Sequence, residues 1–410
     1  MNLQTPVNCA LQTGNIKISF PSYQHHTGRN RILSLDPLRG IAMALMILAH
    51  SYLNVNEKLL PPALAIFFWF LNYLPAVAFV WISGTVFSYF LYSASDPAKT
   101  CRRYAARAAF LILIAHPAIN LASLGFTMPV KESSLGYSAL LSQLVFGFPI
   151  TDTIAVSLLL APFFIRGIAP LKRGLVILLM LFITPLFVAF INPHQLPILL
   201  VKEALFGVIG EPRLFWWPLI PWLAIFLTGS FMGQTLALAK QGKLFYDNLV
   251  QTMYKTGLVL VLISILLTSG YKLIKVAFMD DWNPNIFAAL YPKQTTSLLP
   301  CYLGLLYLIF AKLVHRIEIA GNYDRLLWFL SVFGRTALFT FIVQFTVVES
   351  VPALLGLRGN IGLTGFLNLF IIGSCVVWLL SFAYGRMRGW VSEHDYAEHV
   401  AIARTNALKG

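Results

Sequence analysis

Five ionisable side chains stand inside, or at the rim of, otherwise apolar stretches of this sequence: Asp36, Arg39, His50, His116 and Asp152. Such a group is expensive in hydrocarbon and is kept where it does chemistry or pairs with a partner. The first three share the segment RILSLDPLRGIAMALMILAH. Arg39 and His50 are eleven residues apart, which in a helix is three turns plus about 20°, so they leave one face roughly 16 Å apart. Asp36 lies one turn before Arg39 on that face. A cation at one mouth of a span, with an imidazole about halfway through it, suits an elongated anion such as acyl-coenzyme A, which has phosphates at one end and a thioester at the other. Plainer roles are open to the same residues. An Arg at the inner end of a first helix sets topology, and a His near a helix end can serve as an interhelical hydrogen-bonding group.

The remaining candidates divide in the same way. His116 precedes Pro117, whose ring frees a backbone carbonyl that the imidazole can satisfy. Asp152, close to Gly147 and Pro149, either orients His50, binds sugar, or is an interfacial structural residue. Arg335 follows Gly334 and is a second candidate for anionic phosphates or an ordinary inner-face anchor. Trp216, Trp217 and Trp222 read as an interfacial aromatic belt. Cys9, Cys101, Cys301 and Cys375 are far apart, without metal or redox spacing, and are expected as free thiols.

The elements that must position these groups are transmembrane helices. The 410-residue chain is 58% hydrophobic and only 11% charged, with a mean hydropathy of +0.74, which excludes a soluble globular class. Uncharged runs such as 59–95, 108–130, 174–193 and 214–239 reach or exceed the roughly 20 residues that span a bilayer as helix. The formal charge of +14 punctuates these runs instead of forming a patch, so nucleic acid is not an expected partner and the lipid bilayer is. Residues 1–30 are polar and precede the first apolar run, so no cleavable signal is expected.

The pattern predicts an all-α polytopic bundle of about ten helices, near 37–54, 75–94, 105–127, 148–166, 174–192, 215–238, 256–276, 296–312, 327–348 and 361–384. The long run 59–95 leaves room for a further short piece broken near Pro75, and the Gly147, Pro149, Asp152 cluster is a place where the fourth helix could be interrupted. With the N-terminus inside, 22 of the 30 Lys and Arg residues fall on the cytoplasmic side, as the positive-inside rule requires. Both termini are then cytoplasmic, and the chain divides into a polar tail (1–30), a membrane domain (31–386) and a C-terminal tail (387–410).

Several of these segments carry a family resemblance. The Arg39-x10-His50 helix resembles the opening helix of the integral-membrane acyltransferase superfamily, which includes acyltransferase-three proteins and the heparan-α-glucosaminide N-acetyltransferase catalytic-domain family. FVWISGTVFSYFL (79–91), FWWPLIPWLAIFLTGSFMGQ (215–234) and FGRTALFTFIVQF (333–345) are similar to its later helices, so the resemblance covers most of 31–386. It departs from the pattern where many relatives carry a late-helix histidine and this chain has Gln344, and where FGFPITDTIAVSLLLAP lacks a histidine that some N-acetyltransferase relatives show. The Asp152 context is reminiscent of bacterial glucan succinyltransferases of the same superfamily.

The resemblance implies transfer of an acyl group, commonly acetyl, from cytoplasmic acetyl-coenzyme A to a carbohydrate hydroxyl or amine across the membrane, the inner membrane if the source is bacterial. His50 would be the general base or a transient acyl acceptor, and Arg39 would hold the coenzyme phosphates or orient the thioester. No resident cofactor or metal is implied. A transporter or flippase of glycan intermediates is the rival class. It would show discontinuous helices at matching positions of two halves, which the sequence does not.

Overall fold

The computed structural model describes residues 32–123, 148–190, 196–207, 217–277, 298–391 and 395–407. The described residues form helices and no strand. In chain order these are α1 (Leu35–Tyr52), α2 (Pro62–Leu71), α3 (Leu74–Ser93), α4 (Pro97–Ala122), α5 (Ile150–Gly167), α6 (Pro170–Phe190), α7 (Leu196–Leu205), α8 (Leu219–Lys240), α9 (Tyr246–Ala277), α10 (Leu299–Val314), α11 (Arg325–Arg335), α12 (Ala337–Leu354), α13 (Leu363–Met387) and α14 (Asp395–Ala407). Eight of them, α3, α4, α5, α6, α8, α9, α12 and α13, are long and apolar enough to cross a bilayer. α1 has 18 residues but carries Asp36 and Arg39, and α10 has 16.

With α1 and α10, these helices follow the expected ten in order and approximate position. The differences have local causes. The ninth expected helix is broken at Thr336, where the backbone turns to φ −103°, ψ 21° between α11 and α12. Pro149 is extended and precedes α5, and Asp152 lies in its first turn, so these two residues start the fourth helix and do not interrupt it, while Gly147 lies outside the described residues. The run ahead of Pro75 becomes the separate helix α2. The expected C-terminal tail contains α14, which buries His399 and Ala403. The polar stretch 1–30 lies outside the described residues.

Small residues set the closest approaches, as expected where lipid supplies no hydrophobic drive between helices. A Cβ at Gly84 would stand 1.9 Å from the Phe226 carbonyl oxygen, and one at Gly229 or Gly233 would meet the Trp81 or Thr85 oxygen at 2.0 and 2.1 Å. α3 and α8 therefore pack backbone to backbone, and the Thr85 hydroxyl donates to Gly229 O at 3.1 Å. α1 and α11 are joined in the same way: a Cβ at Gly40 would lie 1.9 Å from Leu330 O, and one at Gly334 2.0 Å from Asp36 O. Around this centre α4, α6, α9 and α13 turn Leu113, Leu171, Leu262 and Leu379 outward. Exposed leucines on that scale suit acyl chains, not water.

Candidate active site

His50 sits in the last turn of α1, nearer the end of the helix than the halfway point expected from sequence. Its Nδ1 meets Oε1 of Glu349, and the two side chains are 15% and 3% exposed. Glu349 reaches it because α12 widens into a π turn over Phe345–Ser350. Each such turn admits one extra residue and re-aims the side chains that follow, and π turns are frequent at functional sites. Three contacts hold the turn. The Asn54 amide donates to Val348 O at 2.8 Å, the Ser350 hydroxyl donates to Ala122 O at 2.5 Å, and the Phe345 ring lies edge-on to the imidazole at 4.8 Å. His50 Nε2 has no hydrogen-bond partner among the described residues. One ring nitrogen is anchored and the other is open, which is the arrangement of an oriented base.

A second histidine–carboxylate pair joins α4 to α5. His116 Nδ1 and Asp152 Oδ2 are 2.6 Å apart, and the Asn120 amide nitrogen lies 3.2 Å from His116 Nε2. The amide nitrogen can only donate, so Nε2 accepts and Nδ1–H donates to Asp152. Both ring nitrogens thus have side-chain partners. Asp152 faces His116 instead of His50, and its Oδ1 is buried without a hydrogen-bond partner among the described residues. A π turn over Leu111–Ala115 immediately precedes His116.

At the other end of α1 the charges cluster. Arg39 and Asp36 form an ion pair at 3.6 Å, with Arg39 27% exposed. Arg335 is buried, its Nε is 4.0 Å from Asp36 Oδ2, and its guanidinium donates to Trp390 O at 2.8 Å and contacts the His399 imidazole of α14. Arg335 therefore ties Asp36 to the C-terminal segment, and Arg39 is the more open cation. Ser34, just before α1, donates its amide and hydroxyl to the buried Glu318 at 3.0 and 3.2 Å. Burial pushes the Glu318 carboxyl up, with the Ser34 donors pulling the other way. These contacts fix the start of α1 as Glu349 fixes its end.

The structure thus brings Asp36, Arg39 and Arg335 to one end of α1, puts His50 at the other, and pairs His116 with Asp152. Glu349 and Gln344 were not singled out as site residues from sequence. Glu349 is an acid within an otherwise uncharged run that follows Arg335, the same signal that marked Asp152, but it falls one residue past the expected helix end. Trp222 is buried against Trp217, with ring centroids 4.9 Å apart, and does not form a surface belt; Trp216 lies outside the described residues. Cys101, Cys301 and Cys375 are in no disulfide, Cys9 is outside the described residues, and no group of acidic, His and Cys residues could hold a metal among those described.

A family model described as heparan-alpha-glucosaminide N-acetyltransferase, catalytic, matches residues 31–266. That is more than half of the chain, which belongs to this family and is a membrane enzyme of the acetyltransferase type. No curated protein matches the chain. The match includes Arg39, His50, His116 and Asp152 and ends before α12, so the part assigned to Glu349 rests on geometry alone.

Proposed function

We propose that this protein takes an acetyl group from acetyl-coenzyme A on the cytoplasmic side and delivers it to a carbohydrate hydroxyl or amine on the other side. The observation that carries the reading is the His50–Glu349 contact in the last turn of α1. Glu349 accepts the Nδ1–H of His50, which leaves Nε2 as the base. Nε2 takes the proton of the acceptor O–H or N–H as that heteroatom bonds to the thioester carbonyl carbon. The C–S bond then breaks, and the coenzyme thiolate takes the proton back from the imidazolium. Glu349 stays ionised throughout and offsets the imidazolium charge, a role that a buried acid fills well because little water screens it.

Arg39, the half-open cation at the opposite end of α1, binds the coenzyme phosphates, while Arg335 and Asp36 hold its helix in register and add to the local field. From Arg39 to His50 is roughly 16 Å, a span that an extended pantetheine arm can cover. The distribution of Lys and Arg supports a cytoplasmic position for the Arg39 end and both termini. On the outer side, the buried Oδ1 of Asp152 is a candidate acceptor for a sugar hydroxyl proton, with His116 and Asn120 setting its orientation.

Vesicles carrying the purified protein in one orientation test the sidedness. Acetyl-coenzyme A, which does not cross lipid, is supplied only on the Arg39 side and an oligosaccharide amine or alcohol only on the other. Acetylated oligosaccharide is expected in the second compartment. Transfer only when both substrates share a compartment would contradict the proposal.

A further inference from the structure

Gln344, at the point where α12 enters its π turn, is fully buried, and neither its Oε1 nor its Nε2 has a hydrogen-bond partner among the described residues. A buried primary amide with both ends open is rare, because each lost hydrogen bond to water goes uncompensated. The residues one and two turns toward Arg335 show the contrast. Thr340 and Thr336 lie four and eight positions earlier on the same face, and their hydroxyls are closed by one another at 3.0 Å and by Ser381 of α13 at 2.8 Å. The polar stripe that climbs α12 from the Arg335 end is therefore internally satisfied up to Gln344 and open there.

The position of Gln344 limits what can close it. A π turn bonds residue i to i+5, so Glu349 stands one turn beyond Gln344, about 5 Å along the axis. Glu349 marks His50 and hence the reacting carbon. Gln344 lies on the Arg39 side of that point, where a donor reaching from Arg39 to His50 would pass. A trans secondary amide holds its N–H and C=O on opposite edges, so a primary amide closes one of them: Oε1 accepts from the N–H, and Nε2–H is left for another acceptor on the arm. In acetyl-coenzyme A the first amide nitrogen is three bonds from the thioester sulfur, one turn's distance back along the arm. We infer that Gln344 binds the cysteamine amide of the pantetheine arm and so sets how far the thioester advances toward His50. Gln344 is then a specificity-determining residue that reads the donor's arm and leaves the phosphates to Arg39. The inference rests on the acyltransferase reading above.

The test is a cycle of two changes on the whole protein in detergent or vesicles: Gln344→Leu in the protein, and replacement of the cysteamine N–H by CH2 in acetyl-coenzyme A. The wild type is expected to lose about 10- to 100-fold in kcat/KM on the altered donor, the cost of leaving the buried Oε1 acceptor unpaired. Gln344→Leu should lose a similar factor on normal acetyl-coenzyme A, distinguish the two donors by less than about 3-fold, and keep its KM for the carbohydrate acceptor. Equal discrimination by the variant, or a defect confined to acceptor KM, overturns the inference and leaves the acyltransferase reading standing. Absence of wild-type turnover with acetyl-coenzyme A overturns both. Melting of Gln344→Leu and Gln344→Met without coenzyme guards against a folding defect. Both should melt no lower than the wild type, since the amide has no partner to lose, and a collapse of both would make Gln344 a structural residue and overturn the inference.

Discussion

Replacing Glu349 by Gln removes one charge and keeps the shape. The pair is buried, with side chains 15% and 3% exposed, so the effective dielectric is far below that of water. At about 4 Å between charge centres and an effective dielectric of roughly 20, the carboxylate stabilises an imidazolium by about 4 kcal/mol. In the proposed step this charge develops on His50 as it takes the acceptor's proton. The loss therefore falls on the transition state, and about 10³-fold in kcat follows, with KM for acetyl-coenzyme A little changed. Single-turnover acetyl transfer from labelled coenzyme, in Glu349→Gln, His50→Ala and the double variant, is the assay. The double variant should be no slower than His50→Ala, because the acid acts through the base. A Glu349→Gln enzyme within about 3-fold of the wild type, or a double variant slower by the product of the single losses, would refute the reasoning.

Three other outcomes follow from the geometry. Arg39→Ala should raise KM for acetyl-coenzyme A about 10- to 100-fold, with a smaller change for acetylated pantetheine, which lacks the nucleotide phosphates; an equal change for both donors would remove Arg39 from phosphate binding. Gly229→Ala puts a methyl 2.0 Å from the Trp81 carbonyl oxygen, so the detergent-solubilised variant should melt several degrees lower, whereas unchanged melting would mean that α3 and α8 are not in backbone contact. Burial raises the Glu318 carboxyl from its ordinary 4.5, against the pull of the Ser34 donors. Its stability contribution is thus complete below pH 4.5 and is lost as pH rises through the folded value. The melting temperature of Glu318→Gln relative to wild type should therefore grow more favourable between pH 5 and pH 8, and a difference independent of pH would contradict the burial argument.

The helices were legible in the sequence because hydropathy alone determines where a backbone can cross lipid. Their order and the Arg39–His50 face needed only composition and the helical repeat. That Asp36 shares the face of Arg39 followed from a spacing of three, and the structure adds their ion pair. The partners of His50 and His116 were not legible, because each joins residues far apart in the chain and depends on a π turn that no periodicity announces. Glu349 lies one residue past the expected helix end and was not singled out, and Asp152 was set beside His50 as one open role when it packs on His116. The same limit applies to Arg335: its basic side chain at a helix end is visible in sequence, but its enclosure by Asp36, Trp390 and His399 is not.

The central claim, that the chemistry belongs to His50, is tested most directly by transfer of radiolabelled acetyl from acetyl-coenzyme A to envelope glycans, in membranes holding matched amounts of wild type or His50→Ala. The account predicts labelled glycan with the wild type and its loss with His50→Ala. Equal labelling by the two would contradict it, and no labelling by either, with any acyl donor, would reject acyl transfer as the activity.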